Sequence, residues 1–593
     1  MMYLKSPDRR RRLFASAWSV LCLAALLMLG GCANPLASAN PGATATVPAT
    51  DASSSYNCTA HSAAPVNLTM YYDAEKQTWM NDVVNAFNKQ QISACDGPIT
   101  VQATPYTSGQ SLQAILKGGQ VDIWSPASSA WLSVLNQQWQ EKHGSPILGG
   151  DNPALVKTPV VIAMWQPMAQ ALGWPGRALG WSDIASLSLN PKGWAAYGHP
   201  EWGSFKFGHT NPDGSNSGLA AVLAEDYTGA NKQDGLTGSD IASSAASQFV
   251  TAVESSIIHY GEDVNLFATE MFSKGPAYLS AAVMNENMVI GANRGVFGKL
   301  TMPVVAIYPK EGTFYSDNPF AVLHADWVTP AKQAAAQAFR AYLLASTQQQ
   351  KAQLSGLRPA VGTINPAVIS TSYGVDPTQP KTVLQVPDAS VILAAAAAWT
   401  EQRRKVDVML IIDHSGSMDE RIAGVTKIVA ARQGMVGFVT VMSDLDRVGL
   451  TQFNGAEEVL SSISDVGPKR QRILQQINGI KASGHTLLFD TVADQFRKLK
   501  ALSTKNIKAL VVLTDGKDDV SKTTLAQLLK EIAPTGVDAG EAVKIFTIAY
   551  GDIQGTGVDV KALTQIATAT GAQEYAGTPQ NIQQIYDDIS KFF

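Results

Sequence analysis

The chain of 593 residues is poor in cysteine, with four, and lacks a cationic excess: 45 lysines and arginines face 49 aspartates and glutamates, for a formal charge of −4. That balance argues against a general nucleic-acid binder, which needs a basic footprint. Several catalytic signatures are missing too. There is no glycine-rich Lys-Ser/Thr phosphate loop, no His-Glu-x-x-His and no Gly-x-Ser-x-Gly elbow. A metal-dependent enzyme is therefore the weakest of the functional readings, and no catalytic residues are assigned.

What is present begins with a leader. Lys5, Arg9, Arg10, Arg11 and Arg12, opposed by Asp8, precede an apolar run over residues 13–29 that ends in Leu29, Gly30, Gly31, Cys32. A basic stretch followed by an apolar one is the pattern of an export signal. Small residues just before a cysteine resemble the lipobox of bacterial lipoproteins. That resemblance implies a signal peptide over 1–31, cleavage before Cys32, and lipidation of Cys32 that holds the chain on the outer face of the cell membrane. An uncleaved anchor competes with it, since the run is nearly long enough to span a bilayer. Without the leader the formal charge becomes −8. Residues 32–56, rich in Ala, Ser, Thr and Pro, cannot bury a core and read as a flexible tether. Cys22 lies in the leader, so Cys58 and Cys95 remain. In an oxidising exterior they are expected to pair as a disulfide, free buried thiols being the alternative.

From residue 57 strands and helices alternate. VNLTMYYD reads as a strand, followed by a helix with Trp79, Val83, Val84 and Phe87 on one face. PITVQATPY, a helix over 111–117 and VDIW continue the pattern, which predicts a mostly parallel sheet covered on both faces. The segments WGSFKFGHTNPDGSNSGLAAVLAEDY, YLSAAVMNENMVI, VVAIYPKEGTFYSDNPFAVL and AAAQAFRAYLLASTQQQKAQLSGLRPA follow in an order that resembles the extracellular solute-binding proteins of ABC transporters, over about 66–390. The resemblance implies a periplasmic-binding-protein-like domain of two α/β lobes, joined by a hinge and closing on a ligand, over 57–390.

The residues themselves suggest where a ligand could sit. Ser125, Ser128 and Ser129 open one helix, and Thr210, Ser215 and Ser217 precede another. Helix amino termini carry unsatisfied N–H groups and a positive dipole end, so two of them facing a cleft suit an anion. Serine and threonine are equally the residues of ordinary N-caps. Tyr71, Tyr72 and Trp124 either line a pocket for a neutral solute or belong to the core.

A helix, DASVILAAAAAWTEQRRK, supplies a linker over 391–404. From residue 405 to 593 the alternation restarts, with apolar strands at 406–412, 507–513 and 543–549 and helices at 421–442, 470–480 and 523–532. Strands apolar throughout are expected in the middle of a doubly wound, Rossmann-like sheet. Asp413, Ser415 and Ser417, then Thr486, then Asp515 fall at strand ends or in the loops that follow. These hard oxygens need no histidine or cysteine to hold a cation, which suits Mg²⁺ (or Mn²⁺). The order Asp-x-Ser-x-Ser, Thr, Thr-Asp-Gly resembles the von Willebrand factor type A domain and its metal-ion-dependent adhesion site. By that resemblance Ser415, Ser417 and Thr486 hold the ion directly, Asp413 and Asp515 act through water, and an open position takes an incoming carboxylate. Thr486 is followed by Leu487 where the family commonly has proline. Gly416 is expected to let the backbone turn tightly, His414 and His485 to be exposed loop residues, and Asp518 and Asp519 to be solvated.

Two functions follow. One is an extracytoplasmic binding protein whose cation grips an acidic group on a protein partner, while the two-lobed part senses or captures a small solute, anionic or neutral. The other is the substrate-binding component of an ABC-type uptake system.

Overall fold

The computed structural model describes residues 64–94, 97–534, 542–551 and 557–592. The expected signal peptide, Cys32, the tether and the Cys58–Cys95 pair lie outside the described residues.

The first lobe is built on a five-stranded sheet in the order Ala321–Val322, Ile123–Ser125, Val66–Asp73, Gly97–Tyr106, Ser93–Ala94. Its three central strands run parallel and both edges are antiparallel. The helix Gln77–Gln90 lays Trp79, Met80, Val83, Val84 and Phe87 on it, the face expected from the 3.6-residue period. The Phe87 ring meets Phe339 and Tyr342 edge-on, with centroids 4.8 and 5.1 Å away.

The second lobe departs from the parallel expectation. Its spine, Val156–Trp165, is antiparallel to Ala281–Asn285, Val304–Ile307, Tyr315–Ser316 and Arg358–Pro359. Only Phe207–Thr210 and Ile257–Gly261 pair in parallel among its described strands. An unbroken apolar strand reports burial on both faces and says nothing about the direction of its neighbours. The chain crosses between the lobes along this spine and returns through Tyr315–Ser316 and Ala321–Val322.

The C-terminal sheet has six strands in the order Glu457–Asp465, Arg447–Phe453, Val406–Asp413, Ile507–Thr514, Lys544–Tyr550, Glu574–Gly577. All pair in parallel except the first, an antiparallel edge. Every residue of Val406–Asp413 is buried, as befits a central strand. The helix expected from 421 begins later, as Lys427–Val441. Before it come a tight turn, Gly416–Asp419, and a hairpin of Arg421–Ile422 with Val425–Thr426. Ala423 and Gly424, at φ 51 and 86°, form the hairpin tip, a two-residue turn that helical periodicity cannot register.

The helix Ala389–Gln402 buries Ile392, Ala395 and Trp399 against the two-lobed part. Just beyond it, Arg403 pairs with Asp446 at 2.5 Å, and Arg404 donates to the Ile257 carbonyl at 2.6 Å and the Lys505 carbonyl at 2.5 Å. The Tyr260 amide donates to the Phe592 carbonyl at 3.2 Å, and Lys591 reaches Glu262 at 3.1 Å. Asp446 and Lys505 stand just before the strands that begin at Arg447 and Ile507. The C-terminal sheet therefore docks by the amino ends of its strands, and their carboxyl ends point away. Among the described residues no helix is long and apolar enough to cross a membrane.

Candidate metal centre and interlobe cleft

Because parallel strands all end at one edge, the three distant segments singled out in the sequence meet there. Asp413 accepts from the Ser415 amide at 2.7 Å and from Thr514 Oγ1 at 2.5 Å. Burial pushes its carboxyl up to about 6, repulsion from Asp515 adding to this and the hydrogen bonds opposing it. Ser415 Oγ and Ser417 Oγ are 3.1 Å apart, and Ser417 Oγ donates to Asp515 Oδ1 at 2.7 Å. Thr486 arrives from the loop before the helix Leu488–Lys500. A Cβ placed on Gly516 would lie 3.0 Å from Thr486 Oγ1 and 3.6 Å from Asp413 Oδ2. Glycine at 516 thus lets the two loops approach, and both oxygens border the same small space. The chain does turn tightly from Gly416, over Gly416–Asp419, and the Gly416 amide donates at 3.0 Å to the carbonyl of Gly484, whose φ is +87°.

The donor set fits a hard divalent ion. The two serine oxygens, 3.1 Å apart, lie near the edge length of an octahedron with bonds of about 2.0–2.1 Å, and the five chosen side chains offer only oxygen.

Several residues around the centre escaped the sequence reading. Lys427, nearly buried, donates to Asp515 Oδ2 at 2.8 Å and to Glu420 at 2.7 Å. Burial opposes its charge, but the bonds to Asp515 and Glu420 prevail and raise its pKa. Asp518 and Asp519 are not simply solvated. Asp519 accepts from the Thr486 amide at 2.8 Å, and Asp518 from the amides of Leu488 and Phe489 at 2.9 and 3.1 Å. Leu487 gives the helix no side-chain cap, so its orphan amides require acceptors from elsewhere, and that need was the available signal. His485 is exposed as expected, beside Asp519 at 3.3 Å. His414 is buried instead, its Nδ1 2.9 Å from the Lys481 carbonyl.

In the two-lobed part five of the six expected ligand residues are bonded to their own surroundings. Ser128 Oγ caps the Ala130 amide at 3.1 Å, and the Ser129 amide donates to Asp317 at 2.8 Å, so a carboxylate of the chain already stands at that helix start. Thr210 Oγ1 lies 2.7 Å from Ser217 Oγ, which is 3.5 Å from Ser215 Oγ. The Ser125 hydroxyl is buried and unpartnered. Tyr72 and Trp124 are core residues, while Tyr71 is half-buried.

The lobes touch directly. Trp131 Nε1 donates to Asn216 at 3.1 Å, the Gly109 amide to the Gly214 carbonyl at 2.9 Å, and Gln110 to Glu262 at 2.8 Å. A cavity of about 590 Å³ opens along the seam, lined by Glu75, Lys76, Asp263, Asn287 and Arg294 among others. None of the six serines and threonines borders it. Glu75 and Lys76 are fully buried, and burial drives both toward their neutral forms. Lys76 donates to Asn318 at 2.7 Å and to the Ser125 carbonyl at 2.9 Å. Three ionisable residues at the carboxyl end of the strand Val66–Asp73 and just beyond it, Asp73, Glu75 and Lys76, were the signal for this wall.

Residues 68–358 match the family described as bacterial extracellular solute-binding protein, and residues 407–589 match the von Willebrand factor type A domain. Among solved structures, a von Willebrand factor type A protein from Catenulispora acidiphila shares 21% identity over 32% of this chain, at a TM-score of 0.27. The chain spans 42% of that protein's length. The sulfate-binding protein SubI from Mycobacterium tuberculosis H37Rv shares 17% identity, covering 51% of this chain and 88% of its own, at 0.33. The periplasmic binding protein AfuA from Actinobacillus pleuropneumoniae shares 13%, covering 57% and 98%, at 0.39. No curated protein matches the chain.

Proposed function

The chain joins a bacterial extracellular solute-binding domain to a C-terminal von Willebrand factor type A domain, and from that premise we propose an exported, lipid-anchored binding protein that grips an acidic group of a protein partner through a divalent cation. In this reading Ser415, Ser417 and Thr486 hold Mg²⁺ or Mn²⁺ directly, and Asp413 and Asp515 act through water. The ion's remaining position accepts the partner's carboxylate. Cys32 carries the anchor, and the segment to residue 56 lifts the folded part from the bilayer.

The observation that carries the reading is one of direction. The five oxygens sit at the carboxyl edge of the sheet, and the opposite edge is the one bonded to the solute-binding domain through Arg404, Lys591 and Phe592. An ion at the free edge faces outward, where another protein can reach it. The solute-binding domain would close on a small polar solute. The seam cavity, with Lys76 and Arg294 on one hand and Glu75 and Asp263 on the other, offers both donors and acceptors to such a molecule.

The test is surface capture of cell-envelope proteins on the immobilised chain, with Mg²⁺ and with EDTA. A captured protein that is released by EDTA, and lost with Thr486→Ala, supports the reading. Capture equal in chelator, or equal on the variant, overturns it.

A further inference from the structure

Away from both sites, three ionisable side chains meet inside the second lobe with no access to solvent. His209 is on the strand Phe207–Thr210, Glu225 on the helix Asn216–Gly229, and Glu254 ends the helix Ser244–Glu254. All three are fully buried, and one ligand atom from each lies within 4.8 Å of the others.

The hydrogen bonds around them leave a specific deficit. His209 Nδ1 is 2.7 Å from the Thr210 carbonyl, which only accepts, so Nδ1 carries a proton. In the neutral ring Nε2 is then a lone pair, and it points at Glu254 Oε1 from 2.8 Å. Two acceptors at that distance need a cation between them. Glu254 is otherwise supplied, by Trp399 Nε1 at 3.1 Å and by the Tyr260 hydroxyl at 2.5 Å. Glu225 is not: both of its oxygens are buried without a hydrogen-bond partner. A proton on Nε2 would satisfy Glu254 and still leave both Glu225 oxygens buried without a partner, which is costly for a charged carboxylate. A divalent ion would answer all three groups, its two positive charges balancing the two carboxylates.

We propose that His209 Nε2, Glu225 and Glu254 hold a buried Zn²⁺ ion. One imidazole nitrogen with carboxylate oxygens is a zinc-type donor set, and an Nδ1–H bonded to a main-chain carbonyl is the usual way a ligating histidine is oriented. With both oxygens free, Glu225 can bind through both and close a four-coordinate shell without water. Bonds of about 2.0–2.2 Å require the Nε2 and Glu254 oxygen to part by a few tenths of an ångström while Glu225 moves in. Trp399, on the helix leading to the C-terminal domain, bonds the same Glu254 oxygen as His209. The ion would thus pin the second lobe beneath that helix. It is distinct from the cation of the adhesion-type site in ligands and in exchange behaviour, because no atom of the cluster reaches solvent.

The experiment uses the full chain carrying Thr486→Ala, which disables the outer site, purified from cells grown with added ZnCl₂ and dialysed against EDTA. Elemental analysis is expected to find about one zinc per chain, reduced at least tenfold by the further isosteric change Glu225→Gln and by His209→Gln. Cells grown with CoCl₂ should yield protein with the visible absorption of a low-coordinate cobalt site, absent in either double variant. A zinc-free parent, zinc retained in both double variants, or a faint six-coordinate cobalt spectrum would overturn the assignment. Circular dichroism of the double variants checks that loss of metal is not loss of fold. Should they fail to fold, the zinc content and cobalt spectrum of the Thr486→Ala chain still decide.

Discussion

The outer edge of the C-terminal sheet and the seam between the two lobes were both read as binding places, and the structure treats them differently. At the sheet edge, residues 413–417, 486 and 515 come together because each follows a parallel strand or the loop beside one, and parallel strands share an end. At the seam, the helix start holding Ser128 is capped from within the chain, Ser215 lies off the cavity, and the open space lies along Glu75, Lys76 and Asn287. A strand-end site is a consequence of topology. A seam site depends on how two bodies pack, which no local motif records.

Four measurements would break or sharpen that contrast. The largest effect is expected from Asp413→Ala or Thr486→Ala, each of which should abolish cation-dependent partner binding, a loss of a hundredfold or more by surface capture, roughly 3 kcal/mol, while circular dichroism stays native.

Next in size is Lys427→Met. It strips the counter-charge from Asp515, so the cation-free domain should lose about 3 kcal/mol, the cost of breaking a buried pair. Mg²⁺ should restore most of that loss and bind more tightly than in the parent. Urea unfolding with and without Mg²⁺ reads both, and a variant indifferent to Mg²⁺ would contradict the role given to this lysine.

At the seam, a solute that raises the melting temperature of the parent should keep doing so in Ser215→Ala and Ser128→Ala. In Asn287→Ala the shift should shrink by at least half. At a hundredfold excess over Kd the full effect is about 2.7 kcal/mol. The reverse pattern would return the binding role to the helix starts.

The smallest effect is a pH slope. Lys544 is buried where the C-terminal domain meets the second lobe, its ammonium over the Tyr278 ring and 3.2 Å from the Thr570 carbonyl. Burial, then repulsion from Lys274, lowers its pKa to about 7, with Glu270 opposing. Between about pH 7 and 10 the unfolded chain holds a proton here that the folded chain has released, so stability should rise with pH across that window. Lys544→Met should flatten the rise in melting temperature between pH 7 and 9, and an unchanged slope would mean another group is responsible.

Much of the fold could be read in advance from hydrophobic patterning. Val406–Asp413, Ile507–Thr514 and Lys544–Tyr550 are apolar nearly throughout, and such runs mark central parallel strands. The edge strand Glu457–Asp465 was not foreseen: half-exposed and polar, it carries little of that signal. The antiparallel second lobe was hidden for the opposite reason, its spine being apolar from Pro159 to Trp165. At the candidate metal centre the five named residues were legible from spacing. Lys427, Asp518 and Asp519 were not, because a charged residue on a loop or helix looks the same in sequence whether it meets water or a buried amide.

By itself the sequence determined the alternation of the main strands and helices, the two-part organisation, and the set of oxygens at one sheet edge, since periodicity and strand polarity are local and carry into space by topology alone. Only the tertiary structure decided which edge of that sheet is free, where the cleft opens, and that His209, Glu225 and Glu254 share one dry pocket. Those outcomes come from packing between segments far apart in the chain, and such packing is governed by shape and desolvation across contacts that no short stretch of residues contains.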